Sequence, residues 1–349
     1  MLEGDAVKRL SGDGEQSTGA DESREYEANG HFRVDEVRRE FTRLVDAGAL
    51  ELPMPGGGDT AQRWAALREI AATDLCVARL AEAHLDALAI LAELEGPNAL
   101  RGSRWGVWAA HPPAPILEAR YVDDEWTLNG VKPFCSGAEI CTNALVTADG
   151  PDGYRLFAVD VRRGVRAIEN TWPAVGMAGS QSLDVEFSDA PAVPVGEPGE
   201  YLTRPGFWHG ALAVAACWHG GAIGLARSLV HEGEQRTLGA HALAHLGAID
   251  ATLSGLGDGF RVAAEEIDRD PKDSANVGEI RALELRANTE RSVLEVLERV
   301  GRALGARPLC HDGRHATLAA DLPVYVRQSH AEDDLARLGS AVLENGTSW

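Results

Sequence analysis

The run Asn129-Gly-Val-Lys-Pro-Phe-Cys-Ser-Gly-Ala138 brings an aromatic ring, a thiol, a hydroxyl and two small residues together. Asn129-Gly130 between β-prone residues reads as a tight hairpin, because a type I′ turn needs positive φ at both central positions. Phe134-Cys-Ser-Gly137 is not needed for a turn. Such a run lets the backbone come close to something flat and polar. Two other spacings suggest chemistry at first sight. His241/His245 and His311/His315 are each four apart, a spacing that can hold a metal on one helix face. Neither pair has the glutamate of H-E-x-x-H or a carboxylate third ligand nearby, so no metal site is read from them. No G-x-G-x-x-G follows a strand, and neither a P-loop nor a G-x-S-x-G elbow is present.

The totals narrow the partners. The chain has 349 residues, 44% hydrophobic and 25% charged, as in ordinary globular proteins. A net charge of −21 opposes binding to nucleic acid or to an anionic membrane surface, which need a positive footprint. The cysteines Cys76, Cys135, Cys141, Cys217 and Cys310 are scattered without a C-x-x-C pair, which fits buried thiols in a reducing compartment. The charged N-terminus lacks an apolar signal region, so the expected location is the cytoplasm.

The elements that must position this chemistry follow from period. Residues 1–30, rich in Gly, Ser, Glu and Asp, read as a disordered leader. Residues 31–103 read as a helical domain, with a stripe at Val34, Val37, Phe41, Leu44 and Val45 and a second helical region from about Thr60 to Glu95. Between 104 and 197 short β runs alternate with turn signals, which predicts a mostly antiparallel, barrel-like β domain. Residues 198–349 are helical again and read as a four-helix bundle, with Leu283, Ala287, Leu294, Leu297, Val300 and Leu304 on one face. The predicted class is mainly α with a β insert.

This order, together with two segments, resembles the acyl-CoA dehydrogenase family of flavoproteins over roughly residues 34–340. The first segment is Trp126–Ala148, with its "LNG.K", aromatic, hydroxyl pattern. The second is Trp172-Pro-Ala-Val-Gly-Met-Ala-Gly-Ser-Gln-Ser-Leu-Asp-Val-Glu-Phe187, followed by Asp189 and Val193-Pro194. The resemblance implies an FAD-dependent oxidoreductase that oxidises an acyl-CoA or other acyl thioester by α,β-dehydrogenation. Phe134 then covers the flavin ring and Ser136 sits near its reactive N5, where a short hydroxyl can donate. Trp105-Gly-Val-Trp-Ala-Ala-His-Pro-Pro113 stands where the family has a Thr-Glu-Pro and Gly-Ser-Asp run, leaving Trp108 and Ala110 as flavin-lining candidates. Arg236 and the turn around Gly301 and Gly305 are the candidates for the FAD diphosphate, glycine allowing close approach to phosphate. A homodimer or homotetramer assembled through the bundle is implied, with an electron-accepting flavoprotein as a candidate partner.

The departure from the family concerns its catalytic base. Thioester dehydrogenation needs a carboxylate to remove the α-proton. Trp208–Val214, one family position, contains no carboxylate, and the other aligns with Ser329 or His330. The alternatives are His330 as base, since imidazole titrates near neutrality; Glu332 reaching in; or a different reaction. That different reaction is the reduced-flavin and oxygen hydroxylation of relatives with this fold. A catalytically inactive flavin-binding subunit is a further alternative. Arg327 is expected to pair with Glu332 or Asp333.

Overall fold

The computed structural model describes residues 19–110 and 116–345, with side chains placed for 33–110 and 116–344. The chain enters as α1 (Gly19–Asp46), so the described part of the expected leader is helical. Glu and Ala are the commonest helix formers of that stretch, and their helix propensity extends the backbone beyond the apolar stripe. Residues 1–18 lie outside the described residues. The apolar region from Thr60 is not one helix. It breaks at Asp74 into α2 (Thr60–Thr73) and α3 (Leu75–Glu93), because the Asp74 carboxylate accepts the first free N–H groups of α3, those of Cys76 and Val77.

Among the described residues seven strands follow: β1 (Trp105–Trp108), β2 (Leu117–Val122), β3 (Glu125–Cys135), β4 (Asn143–Gly150), β5 (Gly153–Asp160), β6 (Val165–Ile168) and β7 (Leu183–Val195). Antiparallel pairing links β2 to β3, β3 to β7, β7 to β5 and β5 to β4. β6 lies against β7. Among the described residues the ring is closed by one parallel bridge, Glu118 to Asp149, and β1 runs parallel to β4. The expected antiparallel barrel is therefore only partly formed. β1 and β2 share one edge of β4, and β1 takes most of its length.

Asn129-Gly130 is not the hairpin turn. The turn between β2 and β3 is Asp123-Asp124, both at positive φ (52° and 65°), while Asn129 and Gly130 lie within β3 at a shift of register. The dipeptide serves a bulge instead. Gly130 has φ 122°, and a Cβ there would stand 2.5 Å from the Ile116 carbonyl oxygen. Asn129 Oδ1 accepts the Asp189 N–H, tying the bulge to β7.

The C-terminal part comprises α4 (Glu200–Thr203), α5 (Gly206–Gln235), α6 (Ala240–Arg269), α7 (Gly278–Leu304), α8 (Arg307–His311), α9 (Gly313–Tyr325) and α10 (Glu332–Asn345). The central helix is α5, which packs on α2, α3, α6, α7 and α9. Its Gly220 and Gly224 let it touch α2: a Cβ at either would lie 2.4–2.5 Å from the Arg68 or Ala72 carbonyl oxygen. The buried stripe of α7 runs through Ala282, Leu285, Arg286, Thr289, Val293, Val296 and Val300, and the expected Leu294 is exposed. One apolar core fills the helices, a second fills the strands around Trp108, Leu128, Phe157 and Phe187, and a third joins the end of α3 to β4 and β7.

Two predictions follow from these contacts. Gly130→Ala is expected to lower stability by about 1–3 kcal/mol, the usual cost of a disfavoured φ, plus whatever the clash with Ile116 adds; urea unfolding measures it. His84, buried on α3, accepts the Trp105 N–H at Nδ1 over 3.3 Å. Burial, and then the nearby Arg63 and Arg104 charges, lower its pKa to about 4. A depressed folded-state pKa gives stability that is fully present above the ordinary value near 6.5 and is lost as pH falls through 4. The drop in unfolding free energy between pH 6.5 and 4 should be smaller in His84→Gln than in the parent by about 2–3 kcal/mol.

Candidate functional site

At the end of β3 the ladder shifts register between Lys132 and Cys135, and the chain turns sharply. Buried Lys132 Nζ donates to the Thr147 carbonyl and hydroxyl at 2.6 and 2.8 Å, fixing one side of the turn. Gly137 N donates to the Ser180 carbonyl at 2.7 Å, and Ser136 N donates to the Phe134 carbonyl at 3.2 Å. Phe134 is left at φ 60°, a conformation a bulky side chain adopts only when its surroundings impose it. The residue is 58% exposed and its ring meets Trp172 edge to face at 6.5 Å, whereas Ser136, two residues on, is only 4% exposed.

The loop carrying Gly176–Ser180 is pressed against the helices from two sides. A Cβ on Gly176 would lie 2.4 Å from the Ala320 carbonyl oxygen of α9, and one on Gly179 would lie 2.8 Å from Val37 of α1. Asp321 of α9 accepts the Met177 N–H at 2.6 Å, with Arg33 and the Cys76 thiol beside its other oxygen. Burial pushes the Asp321 carboxyl above its usual value, against the pull of the Met177 N–H and Arg33. The motif in this loop thus acts as a docking device that brings Ser180 and Ser182 under β3.

Ser136 Oγ lies at the meeting point. Arg79 Nε of α3 donates to it at 3.2 Å, Ser182 Oγ is 2.8 Å away, and Ser180 Oγ is 2.9 Å beyond that. Ser180 Oγ reaches the Met177 carbonyl at 2.7 Å. Trp108 Nε1 donates to the Ser136 carbonyl at 2.9 Å. Behind Arg79 stands Glu82, paired with it at 2.6 Å and almost wholly buried. Burial raises the Glu82 carboxyl above its usual value, with Arg79 pulling the other way. Arg79, Glu82 and Ser182 were not picked out in the sequence. The available signal was α3 itself, an Ala- and Leu-rich helix that carries Arg79, Glu82, His84 and Asp86 on faces that cannot all reach water.

The structure gathers Phe134, Ser136 and Trp108, although the Trp108 ring belongs to the strand core. Ala110 is half-buried at the edge of the undescribed 111–115, where His111-Pro112-Pro113 fall. The remaining candidates lie elsewhere, and among the described residues no hydrogen bond or ion pair joins them to Ser136 or Arg79. His330 is 75% exposed, with Nδ1 3.4 Å from Asp334, and Glu332 is exposed in the first turn of α10. Arg327 pairs with Glu290 at 2.7 Å rather than with Glu332 or Asp333, because α7 faces the end of α9. Arg236 caps α5 and pairs with Glu232. Gly301 is inside α7 rather than in a turn, and Gly305 ends that helix at φ 67°; both are exposed with open space beside them. His311 and His315 fall on different helices, and His315 Nδ1 contacts Ser228 Oγ at 3.0 Å. Among the described residues no cluster of His, Cys, Asp and Glu has the makings of a metal site, and no helix is long and apolar enough to cross a membrane.

No protein-family profile matches the chain, and no curated protein matches its sequence. Solved structures do match. Dibenzothiophene monooxygenase TdsC from Paenibacillus sp. A11-2 superposes with a TM-score of 0.71 at 20% identity, covering 90% of this chain and 97% of that one. KijD3, solved with FMN and dTDP-3-amino-2,3,6-trideoxy-4-keto-3-methyl-D-glucose, gives 0.76 at 18%, covering 92% and 93%. Methanesulfinate monooxygenase MsuC from Pseudomonas fluorescens gives 0.70 at 17%, covering 91% and 97%. At these identities the likeness shows the fold alone: a helix–strand–helix architecture consistent with the acyl-CoA dehydrogenase-like fold.

Proposed function

We propose that the chain is a flavin-dependent monooxygenase that takes reduced flavin and oxygen, rather than a thioester dehydrogenase. The observation that carries this reading is the pairing of an intact aromatic–hydroxyl face with missing bases. Phe134 offers an exposed ring and Ser136 a fixed hydroxyl, yet neither Trp208–Val214 nor Ser329–His330 supplies a carboxylate. The exposed His330 is held by Asp334, and the buried Glu82 is held by Arg79. Flavin hydroxylation needs no α-proton base. Two of the matching structures are monooxygenases and a third holds FMN, which supports the same branch.

The residues present fit an isoalloxazine. Phe134 and Trp172 would cover the apolar ring, and Ser136, set by Arg79 and Ser182, would meet its polar edge. When bound in its reduced form, flavin supplies the two electrons that let one atom of O₂ enter the substrate while the other leaves as water. The protein's part is to hold the ring, to fix the hydroxyl and to keep water from the buried side of the site. FMN suits the chain better than FAD. Arg236 is engaged by Glu232, and Gln235 stands where the family has its diphosphate arginine. Assembly of copies through the helical part is consistent with the exposed Leu243 and Val262 of α6 and Leu294 of α7.

Anaerobic titration with reduced FMN, followed by flavin fluorescence after reoxidation of the bound fraction, tests the reading. Binding is expected, together with oxygen-dependent turnover when a flavin reductase supplies the cofactor. Failure to bind either flavin, or anaerobic bleaching of bound flavin by an acyl thioester, would overturn it. Phe134→Gly should relieve the strained φ and leave stability unchanged or raised by about 1 kcal/mol. The same change should weaken flavin binding about tenfold, through loss of the ring contact.

A further inference from the structure

The hydrogen bonds through Ser136 have only one consistent direction. Ser180 Oγ contacts the Met177 carbonyl, which has no proton to give, so Ser180 is the donor. A hydroxyl has a single proton. Ser182 must therefore donate across its 2.9 Å contact with Ser180. Ser136 must in turn donate across its 2.8 Å contact with Ser182. Arg79 Nε can only donate, and it does so to Ser136 Oγ. The three serines are buried, and the whole series of protons points inward toward the Met177 carbonyl. Of the two lone pairs on Ser136 Oγ, Arg79 takes one, and the other remains.

We infer that this series fixes Ser136 as an acceptor toward flavin N5, so that the site selects the reduced cofactor. The inference rests on the flavin reading above. N5 of reduced flavin bears a hydrogen and donates; N5 of oxidised flavin offers a lone pair, which meets the lone pair of Ser136. For Ser136 to donate outward without leaving its own 2.8 Å contact with Ser182 bare, Ser182 would have to turn its proton toward Ser136. The Ser180 and Ser182 oxygens would then face each other at 2.9 Å, buried, with no proton between them. Arg79 is kept from leaving Ser136 by its pairing with Glu82. Arg79 and Ser182 are thus positioning residues, acting on flavin through Ser136. A simple hydroxyl near N5, free to rotate, would serve either redox state.

The test is the ratio of dissociation constants for oxidised and reduced FMN, measured anaerobically in the parent, Ser182→Ala and Ser136→Ala. The parent is expected to bind reduced FMN at least about tenfold more tightly. In Ser182→Ala the Ser136 proton loses its inward acceptor and becomes free to donate. Oxidised FMN should then bind several-fold more tightly than in the parent, while reduced FMN changes little. A gain in affinity cannot come from misfolding. Ser136→Ala should lower the ratio by weakening the reduced form. A parent ratio near one, or a Ser182→Ala variant that keeps the parent ratio, overturns this inference and leaves flavin binding standing. A parent that binds neither form overturns the flavin reading and this inference together.

Discussion

Arg79 and Glu82 lie one turn apart on a helix otherwise built largely of Ala and Leu, and their 2.6 Å ion pair is largely withdrawn from water. Two desolvated charges are expensive, and their attraction offsets that cost only while the geometry is held. Glu82 also has Asp86 as a like-charged neighbour and Arg63 as a second counter-charge. The pair therefore has little freedom to rearrange, and Arg79 Nε is held on Ser136. The end of β3 is thereby coupled to the middle of α3. Trp108 adds a second tie by donating to the Ser136 carbonyl. If the pair were broken, a buried charge would be stranded directly behind the hydroxyl on which the proposed chemistry turns.

The Gly176–Ser180 loop completes the arrangement by close backbone packing and polar contact, with Met177 buried in the helical core. Gly176 and Gly179 let its backbone sit against α9 and α1, and the Asp321 carboxylate takes the Met177 N–H. Met177 and Gln181 flank the loop's short helical turn at positive φ, as does Phe134 across from it. Non-glycine residues in that region carry strain that neighbouring contacts must sustain. Strain gathered on the two segments that meet at Ser136 is the pattern expected where geometry matters more than stability. The rest of the fold supports it: α5 packs tightly on α2 through Gly220 and Gly224, and the third apolar core holds α3 against β4 and β7.

Much of this was legible in the residues. Apolar period alone separates the helical ends from the strand-rich centre, because side chains on a helix and on a strand meet the core at different intervals. The Phe134–Ser136 run stood out because a turn has no need of it. Asn129-Gly130 misled, since the same φ preference serves a bulge as well as a tight turn, and only the pairing of β3 with β2 and β7 distinguishes them. His330 stood out as a titratable side chain in a suggestive place, but it faces solvent beside Asp334.

The sequence by itself determined the order of the layers and the identity of the aromatic–hydroxyl pair, since both depend on neighbours along the chain. Tertiary structure alone decided which polar groups stand behind that pair. Arg79, Ser180 and Ser182 come from segments far from Ser136 in sequence, and the direction of their hydrogen bonds depends on distances set by packing. A serine's role as donor or acceptor is settled by the partners that surround it, and those partners are assembled only when the β domain closes on α1, α3 and α9.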